Sequence, residues 1–197
     1  MKNLFIFLLL ASFTSNAQWV DLFNGQDLNN WKISENPASF RVENGELIVN
    51  GNRGHLFYNG YTPKNFEVHA RVKTYPGANS GLYVCTKFLE NDWPKQGYEI
   101  QVNNSHTDWR RTASVYGIVD TKETYVKDEE WFDLNVIVQG NHITTKINGK
   151  TVIEYTEPDS VAKGTDARRI QMGTIAIQAH DPNSKVAYQK IQIREIK

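Results

Sequence analysis

The feature of the sequence that most constrains the fold is an alternation of apolar and polar residues with a period of two. In NFEVHARVKT (residues 65–74), Phe66, Val68, Ala70 and Val72 share one parity and charged or polar residues take the other. Similar segments recur along the chain between closely spaced turn signals, and no convincing amphipathic helix appears. Successive side chains of a β-strand point to opposite faces, so the pattern predicts about ten to twelve short strands in an all-β, antiparallel jelly-roll β-sandwich.

Asparagine–glycine pairs mark the predicted hairpins. FRVENGELIV (residues 40–49) is typical of two strands joined at Asn44 and Gly45, because this pair suits a tight turn with positive φ at both central residues. Two similar turns divide residues 131–155 into a predicted meander. The alternation slips near Lys190, which indicates a β-bulge in the last strand.

The first 17 residues have the pattern of a secretory signal peptide. A lysine lies near the amino terminus, an apolar run extends from Leu4 to Leu10, and small residues precede Gln18. The apolar run is too short to span a bilayer, and no second long apolar segment follows. We therefore expect residues 18–197 to form one domain that is exported to the periplasm or outside the cell, with no membrane insertion.

The composition excludes some classes of partner. Lysine plus arginine equals aspartate plus glutamate at 22 each, so no net charge favours nucleic acid. The single cysteine, Cys85, excludes an internal disulfide, and its outward parity favours a small packed residue over a nucleophile. Most of the five Trp, nine Tyr and nine Phe are expected in the core, and the few that face solvent are candidates for sugar binding.

The strand QGYEIQVNN (residues 96–104) gathers polar groups on one face. Its odd positions include Glu99 and Gln101, while Tyr98, Ile100 and Val102 on the even positions are apolar. In a sandwich the apolar face fills the core, so Glu99 and Gln101 are predicted on the outer face of a sheet. Three long irregular segments are candidates for the walls of a cleft around them: residues 103–113, 119–130 and 156–169.

Eight segments taken together resemble a known family. They are WVDLFNGQDLNNWK, VENGELIV, NFEVHARVK, NSGLYV, GYEIQV, SVYGIV, EWFDLNVIVQGNHITTKINGK and IAIQAHDPNSKVAYQKIQIREI. In order, they cover nearly all of residues 18–197. The chain is similar to the 3-keto-disaccharide hydrolase domain, a family with the concanavalin A-like fold of lectins and glucanases. Two departures stand out: the family's usual arginine after NSG is absent, and a closing motif like LQDHG reads IQAHDP here.

This resemblance implies a carbohydrate-active enzyme whose substrate is a 3-keto-glycoside or 3-keto-disaccharide. The ketone acidifies the C2 proton, so a base removes it, the group at C1 leaves by elimination, and water adds to the resulting enone. Such chemistry needs a base near C2, a cation or hydrogen-bond donors at the oxyanion, and an acid near the glycosidic oxygen.

Glu99 and His180 are the catalytic residues that the resemblance favours. Glu99 is the candidate base or a metal ligand; the alternative is a solvated strand residue paired with a lysine or arginine. His180 is a candidate acid, base or ligand beside Asp181, and the alternative is a loop histidine before the turn at Asp181-Pro182. A divalent cation held by Glu99, His180 and Asp181 is possible, with His106 as a further ligand type, although no spacing forms a metal signature.

Other residues are candidates for substrate binding. Asn79 and Ser80 offer hydrogen bonds to sugar hydroxyls, or else form a turn into a strand, and Gly81 permits close approach of a ligand or another backbone. Gln101 points the same way as Glu99 and is suited to hold it or a sugar hydroxyl. The weaker candidates are Tyr116 as cleft wall, Trp109 as stacking platform, Lys122 as oxyanion cation, and Lys87 in place of the absent arginine.

Two other functions remain open from the sequence. A non-catalytic carbohydrate-binding module is the main alternative, because this fold supports lectins as readily as enzymes. An ordinary glycosidase of the glucanase type needs two carboxylates around the bond, and the GYEIQ strand supplies one.

Overall fold

Two antiparallel sheets form the part of the protein that the computed structural model describes, residues 18–160 and 168–197. The predicted signal peptide, residues 1–17, lies outside the described residues. Within the described ranges no helix has the length and apolar character needed to cross a membrane. A single 3-10 turn at Pro37–Ser39 is the only helical element there.

The described residues contain thirteen strands. They are β1 (Val20–Asp21), β2 (Trp31–Ser34), β3 (Phe40–Glu43), β4 (Glu46–Asn50), β5 (Gly54–Tyr58), β6 (Phe66–Thr74), β7 (Ser80–Thr86), β8 (Tyr98–Val102), β9 (Phe132–Gln139), β10 (His142–Ile147), β11 (Lys150–Thr156), β12 (Thr174–Ala179) and β13 (Lys185–Glu195). The larger sheet has the order β11-β10-β9-β6-β13-β4-β3, with β1 also paired to β13. The smaller sheet has the order β2-β5-β12-β7-β8.

The predicted hairpin and bulge are both confirmed. Asn44 and Gly45 join β3 to β4 with φ angles of 53° and 81°, as a turn with two positive φ angles requires. The register of β13 against β6 shifts between Tyr188 and Lys190. An extra residue there explains why the alternation of the sequence slips at the same place.

The core lies between the two sheets and contains the apolar side chains that point inward from both. Val68, Leu134 and Ile191 come from the larger sheet, and Leu56 and Ile100 come from the smaller one; all five are fully buried. Burying each such side chain stabilises the fold by about 1.5–3 kcal/mol. Because packing fixes the inner face of β8, it also fixes which of its residues face outward.

The alternation of β7 breaks at Cys85, which corrects one prediction. Cys85 has a φ of 58°, and Val84 and Cys85 together lie opposite the single residue Ile175 of β12. This bulge turns the Cys85 side chain into the core instead of outward, and burial raises the pKa of its thiol to about 11. Beyond Tyr83, parity therefore no longer predicts the direction of side chains on this strand.

The outer face of the smaller sheet positions the candidate site. Gly81 of β7 pairs with Gln101 of β8, and Tyr83 pairs with Glu99. Gln178 of β12 lies on the other side of β7, so it shares this face with both pairs. These outward residues are buried, because loops cover the face.

Candidate functional site

A cleft of about 490 Å³ opens on the outer face of the smaller sheet. Its floor is made by strand residues, namely Tyr83, Glu99, Gln101 and Gln178, with Asn79 just before β7. Its walls come from loops: Asp92, Trp93, Pro94 and Lys95 between β7 and β8, then Tyr116, Arg168 and His180. A larger hollow of about 1050 Å³ lies where the chain segments around Gln18 and Lys197 meet, but no buried titratable side chain lines it. The cleft is therefore the stronger candidate site.

Glu99 is a buried carboxyl at the floor of the cleft, with 8% of its surface exposed. Its Oε2 accepts a hydrogen bond from the Tyr83 hydroxyl at 2.9 Å, and its Oε1 accepts one from Gln178 Nε2 at 3.0 Å. Burial raises the pKa of Glu99 to about 7, against the lowering effect of these donors and of the positive charges of Arg168 and His180. A carboxyl with this pKa can accept and return a proton near neutral pH.

Gly81 makes room for this carboxyl. A β-carbon at position 81 would lie 2.5 Å from Glu99 Oε1 and 2.8 Å from its Cγ, so the Glu99 side chain lies directly over the glycine. The close approach that the sequence predicted at Gly81 is therefore made by a side chain of the same sheet, not by another backbone.

His180 forms a pair with Asp181 at the wall of the cleft. Its Nδ1 lies 2.7 Å from Asp181 Oδ2, and since an ionised carboxylate only accepts, the ring nitrogen donates. The same Asp181 oxygen accepts from Ser184 Oγ at 2.7 Å. Burial acts to raise the pKa of Asp181, but the hydrogen bonds from Ser184 and His180 hold it below its ordinary value. Asp181 thus orients the imidazole and leaves Nε2 as the ring nitrogen available to a ligand.

A chain of hydrogen bonds links the floor of the cleft to the loop after β8. Gln101 Nε2 donates to Asn79 Oδ1 at 2.6 Å, and Asn79 Nδ2 lies 3.5 Å from His106 Nδ1. His106 Nδ1 also accepts the backbone N–H of Asp108 at 3.0 Å. The His106 and His180 rings pack edge to face with centroids 5.7 Å apart, so this chain reaches the His180 wall.

Arg168 and Trp93 are among the wall residues that the sequence did not single out. Arg168 Nη2 donates to the backbone oxygen of Tyr116 at 2.9 Å, which holds a guanidinium at the cleft. Trp93 packs between His180, at 5.6 Å between ring centroids, and His55, at 5.5 Å. Arg168 lies at the end of the 156–169 segment that was expected to wall the cleft. Trp93 belongs to the broad group of aromatic residues that sequence alone does not sort into core and surface.

Comparison with known sequences decides the family. The sequence profile of the 3-keto-alpha-glucoside-1,2-lyase-like domain matches residues 18–194. The chain belongs to this family. The resemblance seen in the sequence motifs is therefore confirmed, and no match was found among curated protein sequences.

Solved structures show how widely this lyase-like domain shares its fold. Two proteins from Parabacteroides distasonis, both described as candidate glycosyl hydrolases, superpose well. One is 19% identical with a TM-score of 0.75 over 91% of this chain and 94% of that chain. The other is 24% identical with a TM-score of 0.71 over 91% and 100%. The lumenal domain of VIP36, bound to Ca²⁺ and mannose, is 12% identical with a TM-score of 0.60 over 85% and 83%. These likenesses confirm the predicted β-sandwich.

The lyase-like domain brings five of the predicted site residues to the cleft. Those lining it are Asn79, Glu99, Gln101, Tyr116 and His180. His106 does not line the cleft but contacts two of these residues, Asn79 and the ring of His180. Strand parity and the family motifs together therefore placed most of the cleft floor.

Four predicted residues lie elsewhere in the lyase-like domain. Ser80 has the inward parity of Leu82, and its hydroxyl donates to the backbone of Gln178 at 2.6 Å on the core side. Lys87 follows the Cys85 bulge and lines a separate hollow with Tyr61 and Phe88.

Trp109 and Lys122 form a surface pair beside the cleft. The Lys122 ammonium lies 5.2 Å from the Trp109 ring, and neither residue lines the cleft. The Arg110 guanidinium lies 5.0 Å from the Trp109 ring and 4.7 Å from the ring of Tyr116, so it connects the pair to the cleft wall. Arg168 and Lys95 are the cations that line the cleft, in place of Lys87 or Lys122, and the charge of Arg168 acts on Glu99.

The metal set suggested by the sequence is not assembled in the described ranges. Residues 18–160 and 168–197 contain no group of three or more His, Cys, Asp or Glu side chains placed to share one metal ion. Asp181 faces His180 and Ser184, while the carboxyl of Glu99 is held by Tyr83 and Gln178. The carboxyl groups of Glu99 and Asp181 are thus each held by hydrogen bonds from neighbouring side chains.

Proposed function

We propose that this protein cleaves 3-keto-glycosides by removing the C2 proton, eliminating the group at C1 and adding water to the enone. Membership of the lyase-like family supports carbohydrate chemistry in general. The observation that carries the specific proposal is Glu99, a buried carboxyl with a pKa of about 7 at the floor of a cleft large enough for a sugar.

Glu99 acts as the base in this proposal. The C3 ketone makes the C2–H bond acidic, so the carboxylate accepts the C2 proton and the electrons of that bond form a C2–C3 enediolate. A carboxyl held by two donors on a rigid sheet is well placed for this step, because its position needs little reorganisation. General-base catalysis of this kind contributes on the order of 10²- to 10⁴-fold to a rate.

Arg168 stabilises the enediolate oxygen. Arg168 is exposed at the wall of the cleft, and its guanidinium lowers the energy of a negative charge that develops beside it. The bond to the Tyr116 backbone fixes the arginine at the wall while leaving its other N–H groups for a ligand. Arg168 thereby takes the role that the sequence assigned to Lys87 or Lys122.

His180 completes the elimination. When the C1–O bond breaks, its electrons go to the leaving oxygen, which takes a proton from His180 Nε2, and C1 and C2 become double-bonded. Asp181 holds the imidazole by Nδ1 and stabilises its charged form. Water then adds at C1 and gives up its proton to His180 Nε2, while Glu99 returns a proton to C2, so that both groups regain their starting forms.

The test is to incubate the purified protein with a methyl 3-keto-glucoside and with its unoxidised parent in D₂O. We expect methanol release from the keto sugar alone, with deuterium at C2 of the product. Glu99→Gln should abolish both signals, whereas Glu154→Gln, an exposed glutamate on β11 of the other sheet, should leave them unchanged. Intact keto sugar across a range of pH would overturn the proposal.

A sugar-binding role without turnover is the second candidate. Trp93 in the cleft wall favours it, because an aromatic side chain facing a cleft is a typical surface for sugar stacking. It predicts saturable glycan binding that Trp93→Ala weakens more than Glu99→Gln does. Cleavage of the keto sugar in the same preparation would remove this alternative.

Export also belongs to the proposal, because a glycoside outside the cytoplasm would require it. The signal-like pattern of residues 1–17 supports it. Amino-terminal sequencing of the protein recovered outside the cytoplasm should begin at Gln18, and a product that retains Met1 would contradict the prediction.

A further inference from the structure

The amide of Gln101 has a fixed direction. The Asp108 backbone N–H can only donate, so the His106 Nδ1 that it contacts must be an acceptor. Asn79 therefore turns its NH₂ toward His106 and its Oδ1 toward Gln101, which must donate from Nε2. The remaining atom, Gln101 Oε1, is buried and has no hydrogen-bond partner among the described residues.

The direction of the Gln178 amide is also fixed, by different partners. Its Nε2 donates to both Glu99 Oε1 and the Tyr83 hydroxyl, each at 3.0 Å. A flipped amide would bring its oxygen against the carboxylate, which is unfavourable. Gln178 Oε1 is therefore a second buried acceptor without a donor in the part of the chain that the structure describes.

The two glutamines lie on either side of the candidate base. Gln101 pairs with Gly81 on one side, and Gln178 lies across β7 on the other. The Glu99 carboxyl lies over Gly81, between them. Adjacent strands are about 4.8 Å apart, so the two backbones are about 10 Å apart, and both side chains line the cleft that holds Glu99.

We propose that Gln101 and Gln178 select substrates by accepting hydrogen bonds from two free hydroxyl groups of the sugar ring above Glu99. The inference rests on the proposed function and names its specificity determinants. A buried acceptor left without a donor is unfavourable, so a ligand that supplies an O–H at each position gains affinity that a deoxygenated or O-alkylated ligand lacks.

The same polarity fixes which way the ketone faces. A ketone oxygen has no proton to donate, so it gains nothing at either glutamine oxygen. It is better placed at the wall where Arg168 supplies N–H donors.

The experiment compares kcat/KM for methyl 3-keto-glucoside with that for its 2-deoxy, 4-deoxy and 6-deoxy derivatives. We expect two of the three derivatives to react on the order of 10- to 100-fold more slowly with the natural protein. Gln101→Met, which keeps the length of the side chain but removes the acceptor, should abolish one of these two penalties and leave the other. Gln139→Met, on β9 of the larger sheet, is the matched control and should retain both.

Calorimetric binding of methyl glucoside and its deoxy derivatives separates this inference from the proposed function. If no keto sugar is cleaved but the binding penalties appear and Gln101→Met removes one, the acceptor role stands without the elimination chemistry. If the keto sugar is cleaved but all derivatives react equally, or if Gln101→Met retains every penalty, the acceptor role is wrong. Absence of both turnover and binding overturns both.

Discussion

The carboxyl of Glu99 lies over Gly81, a diagonal neighbour on β7 two residues before its partner Tyr83, and a β-carbon at position 81 would be 2.5 Å from Oε1. No real β-carbon contact is that short. The carboxyl can therefore occupy this position only because residue 81 is a glycine. The sheet thereby places a carboxyl at the floor of a cleft, where burial raises its pKa to about 7.

Gly81→Ala should displace the Glu99 carboxyl without unfolding the protein. The backbone at Gly81 is not among the positive-φ positions, so alanine fits the strand itself, and only the side chain above must move. Since a misplaced base loses much of its effect, we expect kcat to fall on the order of 100-fold. Circular dichroism should show native sheet content, and unchanged kcat would mean that the carboxyl does not act from this position.

Glu99→Gln should change how stability depends on pH. The pKa of Glu99 is about 7 in the folded protein and about 4.5 in an unfolded chain, so the folded state holds this proton more tightly. Glu99 therefore stabilises the fold fully below pH 4.5, and that contribution is lost as pH rises to 7.

Urea unfolding of both proteins from pH 4 to pH 8 measures this difference. The free energy of unfolding of Glu99→Gln, relative to the natural protein, should rise by on the order of 3 kcal/mol across this range. A constant difference across the range would contradict the raised pKa.

Strand parity predicted the floor of the cleft because it is a local property. Packing of Ile100 in the core leaves Glu99 and Gln101 no direction but outward, and this is what the structure contains. The same rule places Ser80 inward with Leu82, on the core side where its hydroxyl is bonded. Its assignment as a sugar ligand followed the motif instead of the parity.

The walls of the cleft were harder to predict, because they depend on contacts between distant residues. The bulge at Cys85 is invisible to the alternation and changes where Lys87 lies. Arg168 reaches the cleft through its bond to the Tyr116 backbone, 52 residues away in the chain. The fixed amide of Gln178 likewise depends on Tyr83 and Glu99, which lie on neighbouring strands of the sheet.

Arg168→Ala should move the pH profile of the reaction. The main cause of the raised pKa of Glu99 is burial, and the charge of Arg168 opposes it. Removing the arginine should raise this pKa further, so the limb of kcat/KM that reports ionisation of the base should shift to higher pH. Arg41→Ala, in an exposed ion pair with Glu43 on the larger sheet, is the control. A lower rate with an unmoved limb would mean that Arg168 acts only on the substrate.

Asp181→Asn should impair the elimination step by releasing His180. The carboxylate of Asp181 accepts from His180 Nδ1 at 2.7 Å, and an amide in its place can turn its NH₂ toward the ring and favour the other tautomer. We expect kcat to fall on the order of 10²- to 10⁴-fold. Exchange of the C2 proton with solvent, which uses Glu99 and Arg168 but not His180 and precedes departure of the leaving group, should persist. Equal loss of exchange and of leaving-group release would instead mean that His180 is the base, because the two steps would then depend on the same imidazole.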